Sequence, residues 1–406
     1  MSRAETSPSA EAVLTFLESA GHRSEAEHYL EVFRDLPRES FAIIGVESAV
    51  VGHALDSIGE QLRFLAELGL VAPIVVGLFD PAGSERAAQR LARRLPRLGV
   101  AIERVEPVSA ATAGGLRSLL VAGRFPLLRF GAELPAEDRF DRLAEIAVAL
   151  GSRKLVLCRR RGGLGPRVER SIELLPGHLV DASAGGLSVI NLRADRVALE
   201  ASRLLHREDA ALLGHLARFL DRAAPRPLVV NVAAPFDLLK ELFTVRGAGT
   251  LVKAGAEIER CSGWAAVDAP RVRALIEASF GRPLRSDYFE RAPLAVYLER
   301  AYRGVAVVEE GRVAPYLAKF AVEPFARGEG LGADLWLALT REHPTLFWRT
   351  RADNPVATWY QSVCHGMQRG ARWHVYWRGL PPTAIEQAIE EAIALPDDFL
   401  LAPGAA

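Results

Sequence analysis

The sequence predicts an α/β protein with two successive domains, a mainly parallel sheet sandwiched by helices followed by a smaller α+β domain. Two observations carry this prediction. Between residues 39 and 248, short apolar runs rich in β-branched residues alternate with amphipathic helical segments, which is the pattern of a parallel sheet covered on both faces. From residue 249 onward, the pattern changes to a helix, antiparallel strands, a glycine-rich turn and four further elements.

Length and charge set the first limits on function. With 406 residues, 50% of them hydrophobic, the chain is long enough for two cores. Fifty Lys and Arg residues balance fifty Asp and Glu residues, so no global electric field attracts nucleic acid or an acidic membrane surface. We therefore expect no nucleic-acid partner.

Cysteine usage and hydropathy bear on the compartment and on metals. Cys158, Cys261 and Cys364 are far apart and form no Cys or His spacing typical of a metal site, so we expect reduced thiols and no metal. The N-terminus is polar, and the longest apolar runs, such as residues 70–79, are too short to span a bilayer. We expect a cytoplasmic protein without a membrane partner.

Residues 1–38 predict a helical arm, because apolar residues recur at helical spacing between Ala10 and Leu36, with an interruption at Gly21. The first domain, residues 39–248, then alternates two kinds of segment. The predicted strands are FAIIGV, APIVVGLF, FPLLRFG, RKLVLCR and PLVVNV, and the predicted helices are SIGEQLRFLAELG, ERAAQRLARRL and DRLAEIAVAL.

The second domain, residues 249–406, opens with a predicted helix, DAPRVRALIEASF, in which Asp268 is a suitable cap and Pro270 lies in the first turn. The runs GVAVV and VAPYLAKFAV predict a β-hairpin that leads into the glycine-rich turn. A helix through Leu339, a strand TLFWRTR, a short helix ATWYQSV and a strand WHVYWRGL follow.

The stretch YLAKFAVEPFARGEGLG is the most informative motif, because it joins an apolar strand to an Arg-x-x-Gly-x-Gly turn that opens a helix. Glycines 328, 330 and 332 let backbone N–H groups approach a phosphate, and the helix adds its positive end at the same point. The motif predicts a pyrophosphate site, with acetyl-CoA as its ligand. A plain link between strand and helix is the alternative.

The order of elements in the second domain is that of the GNAT acetyltransferases. Four segments, ELFTVRGAGTLVKAG, ASFGRPLRSDYF, YLAKFAVEPFARGEGLG and LFWRTRADNPVATWY, together resemble the acetyltransferase half of the vertebrate-like N-acetylglutamate synthases and bifunctional synthase–kinases. The similarity covers nearly all of residues 241–380. It implies acetyl transfer from acetyl-CoA to the α-amine of L-glutamate, a step of arginine biosynthesis.

This resemblance also implies site residues. Lys319, Arg349 and Arg351 would face the two carboxylates of glutamate, which guanidinium groups grip in bidentate fashion; a solvated sheet face is the alternative for the two arginines. The residues implied to bind acetyl-CoA are Phe320, Ala321, Val322, Arg327, Gly328, Glu329, Gly330, Leu331 and Gly332.

Asn354 and Tyr360 match the catalytic pair of the family, with the amide positioning groups near the thioester and the phenol donating a proton to the departing thiolate. A phenol with a pKa near 10 is protonated at neutral pH, but transfer to a thiolate of pKa near 8.5 is uphill by about 2 kcal/mol. Tyr360 would therefore assist the reaction. The alternative is a core aromatic beside Trp359. The scattered histidines supply no clear base.

The start of the first domain resembles an amino-acid kinase domain whose phosphate-binding residues are missing. Gly45, Glu47 and Ser48 stand where that family has a Lys and a Gly-Gly pair, and Leu78 to Asp80 replace the glycines of its second loop. A lost cation and an added carboxylate both oppose phosphate binding. We expect a degenerate, kinase-inactive domain.

In the family, this domain assembles the oligomer and binds arginine, so the resemblance implies a homo-oligomer, with a tetramer favoured, and L-arginine as an allosteric effector. Glu241, Gly247 and Gly249 are candidates for contacting arginine. A plain domain connector is the alternative.

Three other functions remain open. One is the full bifunctional synthase–kinase, which the missing phosphate loops oppose. Another is a non-catalytic arginine or acetyl-CoA sensor, which would not need Lys319, Asn354 and Tyr360 together. The last is acetylation of another amine, such as a protein lysine, although paired arginines suit a dicarboxylate acceptor better.

Overall fold

The computed structural model describes residues 42–106, 112–165, 180–181, 186–224, 228–243, 248–323, 326, 330–352, 354 and 356–400. The chain divides into two compact units, with the boundary in sequence between Gly255 and Ala256. The first unit extends past residue 248 because the strand Thr250–Lys253 belongs to its sheet. The predicted N-terminal arm, residues 1–38, lies outside the described residues.

The first unit contains an eight-stranded sheet with the order β3-β4-β2-β1-β5-β9-β10-β8 and a separate two-stranded ladder of β6 and β7. Its strands are β1 (Ile43–Val46), β2 (Ile74–Val76), β3 (Ile102–Val105), β4 (Phe125–Arg129), β5 (Lys154–Cys158), β6 (Val180–Asp181), β7 (Gly186–Leu187), β8 (Val189–Asn191), β9 (Val229–Ala233) and β10 (Thr250–Lys253). All neighbouring pairs of the large sheet are parallel except β9 and β10. The predicted mainly parallel sheet is confirmed.

The helices of this unit are α1 (Ser48–His53), α2 (Leu55–Glu67), α3 (Ser84–Arg94), α4 (Ala113–Val121), α5 (Ala136–Leu150), α6 (Leu192–Ser202), α7 (Arg207–Ala223) and α8 (Leu238–Phe243). Every residue of the central strands β1 and β5 is buried, which requires cover on both faces of the sheet. Helix α2 contributes Ile58, Leu62 and Leu65 to the core, at the helical spacing that its sequence predicts.

The second unit contains a seven-stranded sheet with the order β11-β12-β13-β14-β15-β17-β16. Its strands are β11 (Ile258–Cys261), β12 (Ala295–Glu299), β13 (Gly304–Glu309), β14 (Tyr316–Val322), β15 (Leu346–Arg351), β16 (Gly366–Arg369) and β17 (Trp373–Arg378), and its helices are α9 (Ala269–Phe280), α10 (Leu331–Glu342), α11 (Ala357–Val363) and α12 (Pro382–Ala394). The predicted elements are present, and β11, β12, β16 and α12 are additions to them.

Local sequence signals explain where several of these elements begin. The Asp268 carboxylate accepts a hydrogen bond from the N–H of Arg271 at 3.1 Å, so the predicted cap of α9 is confirmed. Helix α10 begins after Gly330, whose φ of 71° lies in the left-handed region that favours glycine. No helix among the described residues is long and apolar enough to cross a bilayer.

Two irregularities open the sheet of the second unit at its centre. Strands β14 and β15 are parallel and share a single register pair, Tyr316 with Phe347, after which they diverge. On its other side, β14 pairs with β13, and the register between them shifts by one residue. Val307 lies opposite Lys319, but Val308 lies opposite Leu317, so Ala318 has no residue opposite it and forms a bulge. A bulge and a divergence in neighbouring strands leave room for a ligand within the sheet.

Candidate active site

A cavity of about 360 Å³ lies where β14 and β15 diverge. Strands β14 and β15 supply part of its wall, and further parts come from the end of α9, from α11 and from the chain after α12. Its lining residues are Ser279, Phe280, Arg282, Tyr316, Leu317, Ala318, Lys319, Phe320, Trp348, Arg349, Thr350, Arg351, Asn354, Val356, Tyr360, Trp373, Asp397, Asp398 and Phe399. The cavity therefore brings together all five predicted acceptor and catalytic residues.

Lys319 is a buried cation on this wall, with 5% of its surface exposed. Its ammonium donates to the carbonyl of Ala318 at 3.1 Å and to the carboxylate of Asp398. The rings of Tyr288 and Phe399 lie 5.0 and 5.4 Å from the same nitrogen. Burial lowers the pKa of Lys319, and the carboxylate of Asp398 opposes that effect.

Arg349 uses part of its guanidinium to hold the end of α12. Nη1 donates to the carbonyls of Ala392 at 2.6 Å and Leu395 at 2.7 Å, and Nη2 donates to the carbonyl of Pro396 at 2.6 Å. These are carbonyls that a helix end leaves without an internal partner. Among the described residues, the hydrogen bonds leave Nε and one hydrogen of Nη2 without an acceptor, so both can donate to a ligand.

Arg351 lies two residues further along β15, and the alternation of a strand places it on the same face as Arg349. Its side chain is exposed and lines the cavity. The Arg349 guanidinium also stacks over the ring of Trp373, 4.1 Å from its centre, which fixes the plane of the group. The two arginines thus offer donors to one region of the cavity.

The side chain of Asn354 is held at both ends. Its Nδ2 donates to Thr350 Oγ1 at 2.6 Å, and its Oδ1 accepts from the N–H of Val356 at 2.9 Å, just before α11. Tyr360, on α11, is 6% exposed and lines the same cavity. Its ring packs among Trp348, Trp359 and Tyr376, with ring centres 5.3 to 5.6 Å apart. Burial raises the pKa of Tyr360 well above its ordinary value, so the phenol keeps its proton.

The predicted acetyl-CoA segment is described in part. Phe320 stacks on Trp359 with ring centres 5.0 Å apart, while Ala321 and Val322 are buried beside it on β14. Gly330 is the N-cap residue of α10, and Leu331 and Gly332 lie in its first turn. Arg327, Gly328 and Glu329 lie outside the described residues. The N–H groups at the start of α10 are the structural basis for an anion site.

The chain after α12 is a part of the cavity that the sequence analysis missed. Asp397, Asp398 and Phe399 all line it. The available signal is modest: an acidic pair between a proline and an aromatic residue, directly after an amphipathic helix. Periodicity predicts α12 from such a pattern, but it does not predict which distant strand the following carboxylates contact.

In the first unit, the residues at the end of β1 already have protein partners. The Glu47 carboxylate accepts from the N–H of Arg160 at 2.7 Å. A Cβ on Gly45 would lie 2.5 Å from Leu157, so this glycine is needed for packing inside the sheet. Leu78 is 2% exposed and belongs to the core. At this position a core side chain thus replaces the glycine that the resemblance to amino-acid kinases implies.

Glu241 is buried and holds its own surroundings together. Its carboxylate accepts from the N–H of Ala248 at 2.5 Å, from the N–H of Gly249 at 2.7 Å and from Asn231 Nδ2 at 2.5 Å. A Cβ on Gly249 would lie 2.1 Å from the carbonyl oxygen of Val232, so close backbone packing requires glycine there. Gly247 lies outside the described residues. These contacts tie Glu241 of α8 to β9 and to the residues just before β10.

Among the described residues, no three His, Cys, Asp or Glu side chains come together as a metal-binding group. The cysteines at 158, 261 and 364 are all free thiols.

Comparison with known proteins agrees with the geometry. Residues 258–394 match the family model described as the N-acetyltransferase domain of N-acetylglutamate synthase. An acetylglutamate kinase from Xanthomonas campestris is 30% identical over 88% of this chain and 94% of its own length. The mitochondrial N-acetylglutamate synthase of Homo sapiens is 28% identical over 95% of this chain and 79% of its own length.

A solved structure of N-acetylglutamate synthase from Neisseria gonorrhoeae, complexed with coenzyme A and N-acetyl-glutamate, shares the fold. It covers 87% of this chain and 97% of its own chain with a TM-score of 0.50 and 16% identity. Since the identity to the Xanthomonas relative extends over nearly the whole of both chains, and the second unit matches the synthase domain model, both halves have counterparts in the same proteins. The chain belongs to the family of vertebrate-like N-acetylglutamate synthases and bifunctional synthase–kinases, and it is an amino-acid N-acetyltransferase of the acetyl-CoA-dependent class.

Proposed function

We propose that the protein transfers the acetyl group of acetyl-CoA to the α-amine of L-glutamate and that residues 249–406 carry this activity. The observation that carries the proposal is the convergence, in one cavity, of three cations with Asn354 and Tyr360. Glutamate has two carboxylates at neutral pH, and Lys319, Arg349 and Arg351, which all line the cavity, are suited to donate to them. A basic acceptor such as a protein lysine suits the cavity less well, because four cations in its lining, Arg282, Lys319, Arg349 and Arg351, outnumber the carboxylates of Asp397 and Asp398.

The roles of the polar residues follow from their contacts. Lys319 has three donors and uses two of them within the protein, so the third is available to an acceptor carboxylate. Because Thr350 and Val356 fix the amide of Asn354, that side chain is suited to a positioning role. Tyr360 keeps its proton at neutral pH and can donate a hydrogen bond to a leaving thiolate, while its raised pKa makes complete transfer of the proton more costly than from an ordinary phenol. We assign removal of the proton from the acceptor amine to water.

The site suits acetyl-CoA in two respects. On the side of β14 that faces β15, the described residues form a strand pair only at Tyr316, so β15 does not cover the backbone around Phe320 and Ala321, which is suited to hydrogen-bond to an extended ligand. The start of α10 lies at the end of the same segment and presents N–H groups suited to a pyrophosphate. We propose that residues 320–322 and 327–332 hold the coenzyme. The thioester supplies an activated carbonyl, and the protein supplies orientation.

The direct test is CoA release from acetyl-CoA by the purified full-length protein with and without L-glutamate. Glutamate-dependent release, with acetylglutamate identified by mass spectrometry, supports the proposal. L-Lysine and L-glutamine are the matched control acceptors. Each keeps the α-amine and the α-carboxylate of glutamate but lacks its side-chain carboxylate, which is replaced by an ammonium group in lysine and by an amide in glutamine. Release of equal size with lysine would contradict the acceptor assignment, and binding of acetyl-CoA without release would favour a sensor.

We further propose that the first domain has lost kinase activity. The bond from Arg160 to Glu47 and the buried side chain of Leu78 support this, since both occupy the edge where phosphate-binding groups are expected. The relative from Xanthomonas carries the name of a kinase, so the bifunctional alternative requires its own test. Calorimetry with ATP and acetylglutamate should detect no binding. Phosphoryl transfer to acetylglutamate would contradict the proposal and establish a bifunctional enzyme.

Finally, we propose that residues 39–248 serve assembly and regulation in a cytoplasmic homo-oligomer, with a tetramer favoured, and that L-arginine is its effector. The family membership supports these roles. The structure favours a connector role for Glu241 and Gly249, because their contacts are satisfied within the protein. Sedimentation and acetyl-transfer assays with and without L-arginine test the proposal. If arginine changes neither the mass of the particle nor the rate, regulation by arginine is contradicted.

A further inference from the structure

The chain that follows α12 forms an ordered wall of the acceptor cavity. Residues 395–400, which we call the C-terminal strap, are tied to the segment after α9 by backbone hydrogen bonds. The N–H of Arg285 donates to the carbonyl of Asp398 and the N–H of Leu400 to that of Pro283, both at 2.9 Å. Leu284 and Phe399 form an antiparallel bridge. The strap is therefore held through its backbone on one side of the cavity.

Two side chains on other elements also hold the strap. Arg349 of β15 bonds to the carbonyls of Leu395 and Pro396, where the strap begins. The ring of Phe399 packs on Phe280, with ring centres 5.0 Å apart. With contacts along its length, the strap is a fixed part of the site and not a loosely placed end.

This fixed strap brings the Asp398 carboxylate onto the ammonium of Lys319. The two residues are 79 positions apart in sequence. Around them lie Arg291, which also bonds to Asp398, Glu309 of β13, 3.8 Å from Arg291, and the ring of Tyr288. Two cations and two carboxylates thus form a balanced group, in which Lys319, Asp398 and Glu309 are largely covered and Arg291 is exposed. Removal of the Asp398 charge leaves the buried ammonium of Lys319 without its direct partner.

We propose that Asp398 is a positioning residue for the acceptor, which keeps Lys319 charged and directs its remaining N–H into the cavity. The inference rests on the proposed role of Lys319 as a ligand of an acceptor carboxylate. A buried lysine without a counter-charge tends to lose its proton, and a neutral amine binds a carboxylate poorly. Asp398 is the carboxylate that pairs directly with Lys319, whereas Glu309 pairs with Arg291.

The contact between Asp398 and Lys319 also allows the opposite role, in which Asp398 inhibits binding of the acceptor. That role predicts the result that would contradict our proposal. If the Asp398 carboxylate competes with the acceptor for Lys319, its removal would lower the KM for the acceptor. The backbone bonds of the strap argue against such displacement, because an acceptor would have to break them or to turn the side chain away from two cations. The sign of the change in KM therefore separates positioning from competition.

The experiment compares Asp398→Asn with wild type in the full-length protein. We expect the KM for glutamate to rise about tenfold or more, the loss that follows from one missing charge-assisted hydrogen bond, with the KM for acetyl-CoA unchanged. The alkaline limb of kcat/KM for glutamate should move to lower pH, since Lys319 then loses its proton more easily. Asp398→Glu should restore part of the affinity. An unchanged or lower KM overturns the proposal.

Asp287→Asn is the matched control, because its carboxylate is exposed, pairs with Arg285 at 3.0 Å and does not line the cavity. A second readout does not depend on activity. The chain contains four lysines, so protein labelled with 13Cε-lysine gives four signals, and Lys319→Met assigns one of them. The pKa from that signal should fall in Asp398→Asn and stay unchanged in Asp287→Asn.

These readouts separate the two levels of the proposal. If wild type lacks glutamate-dependent release, the proposed function fails, whatever the lysine titration shows. If wild type is active but the Lys319 pKa and the KM are the same in Asp398→Asn, the positioning role fails and the proposed function stands.

Discussion

Tyr316 and Phe347 form the one register pair between β14 and β15 among the described residues, and the cavity opens directly beyond it. Their rings lie 5.2 Å apart, so the pair closes the narrow end of the gap. Both residues are buried, at 6% and 0% exposure. The pairing therefore sets where the strands separate and hence which residues of β14 and β15 face a ligand.

Removal of the Tyr360 hydroxyl tests its role as proton donor. Tyr360→Phe should lower turnover by about a hundredfold or less, because one general acid contributes roughly that much. The ring contacts with Trp348 and Trp359 remain, so acetyl-CoA binding should be unchanged. Tyr376→Phe is the matched control, since its buried hydroxyl lacks a hydrogen-bond partner and does not line the cavity. Equal turnover in the two variants would reduce Tyr360 to a core aromatic.

The two arginines of β15 should differ in what their removal changes. Arg351→Ala should raise the KM for glutamate about tenfold or more with an unchanged melting temperature, because the residue is exposed. Arg349→Ala should raise that KM and also lower the melting temperature, since three carbonyls near the end of α12 lose their donor. Thermal melts and glutamate titrations measure both effects. Identical melting of Arg349→Ala and wild type would contradict the structural part of this role.

Substitutions of two glycines at the start of α10 distinguish an effect on backbone strain from an effect on ligand binding. A Cβ on Gly332 would lie 3.8 Å from Phe320, an ordinary contact, so Gly332→Ala should leave the free protein as stable as wild type. Its KM for acetyl-CoA should rise, because the methyl group blocks close approach of a phosphate. Gly330→Ala should cost about 1 kcal/mol of stability as well, since φ there is 71°. An unchanged KM in Gly332→Ala would contradict the pyrophosphate site.

The first domain carries an acid-sensitive contact that is independent of the active site. Asp141 accepts from Arg218 at 2.7 and 2.6 Å and from Arg222 at 2.7 Å. These guanidinium groups hold the pKa of Asp141 well below its ordinary value. A carboxyl with a lowered folded-state pKa adds stability that is complete above its unfolded pKa, near 4, and is lost as the pH falls below it.

Asp141→Asn should therefore be less stable than wild type at pH 7, by about 1–2 kcal/mol, because the arginines are half exposed and water weakens the pair. The difference should shrink between pH 4 and pH 2. Urea unfolding at several pH values measures it, and Asp56→Asn, at an exposed pair with Arg94, is the control. A difference that does not depend on pH would show that the charge of Asp141 is not the cause.

Local patterns in the sequence predicted most of the fold. The alternation of β-rich and amphipathic segments predicted β1, β2, β4, β5 and β9, and the pattern of Asp268 and Pro270 predicted the start of α9. These features depend on residues close in sequence, where spacing decides which face is apolar and which N–H groups need a cap. The acceptor and catalytic residues came from a family resemblance, and they line one cavity.

What the sequence did not reveal are contacts between segments that are distant along the chain. Periodicity carries no information on which strand the residues after α12 approach, so the strap and its Asp398 were missed. Glu241 was considered as an effector contact, yet its carboxylate bonds to three protein donors, a fact that depends on how α8, β9 and β10 pack.

The sequence by itself thus predicts the strands and helices of both sheets, the glycine turn, the cationic residues and the phenol, because these depend on residue identity and on preferences between residues close in sequence. Which role each of these residues has depends on how the chain packs. The proposed role of Lys319 as a charged ligand depends on a carboxylate 79 residues away, and Arg349, which lines the cavity, also bonds to the end of a helix. Burial sets the electrostatic cost of each charge, and burial exists only once the chain is folded.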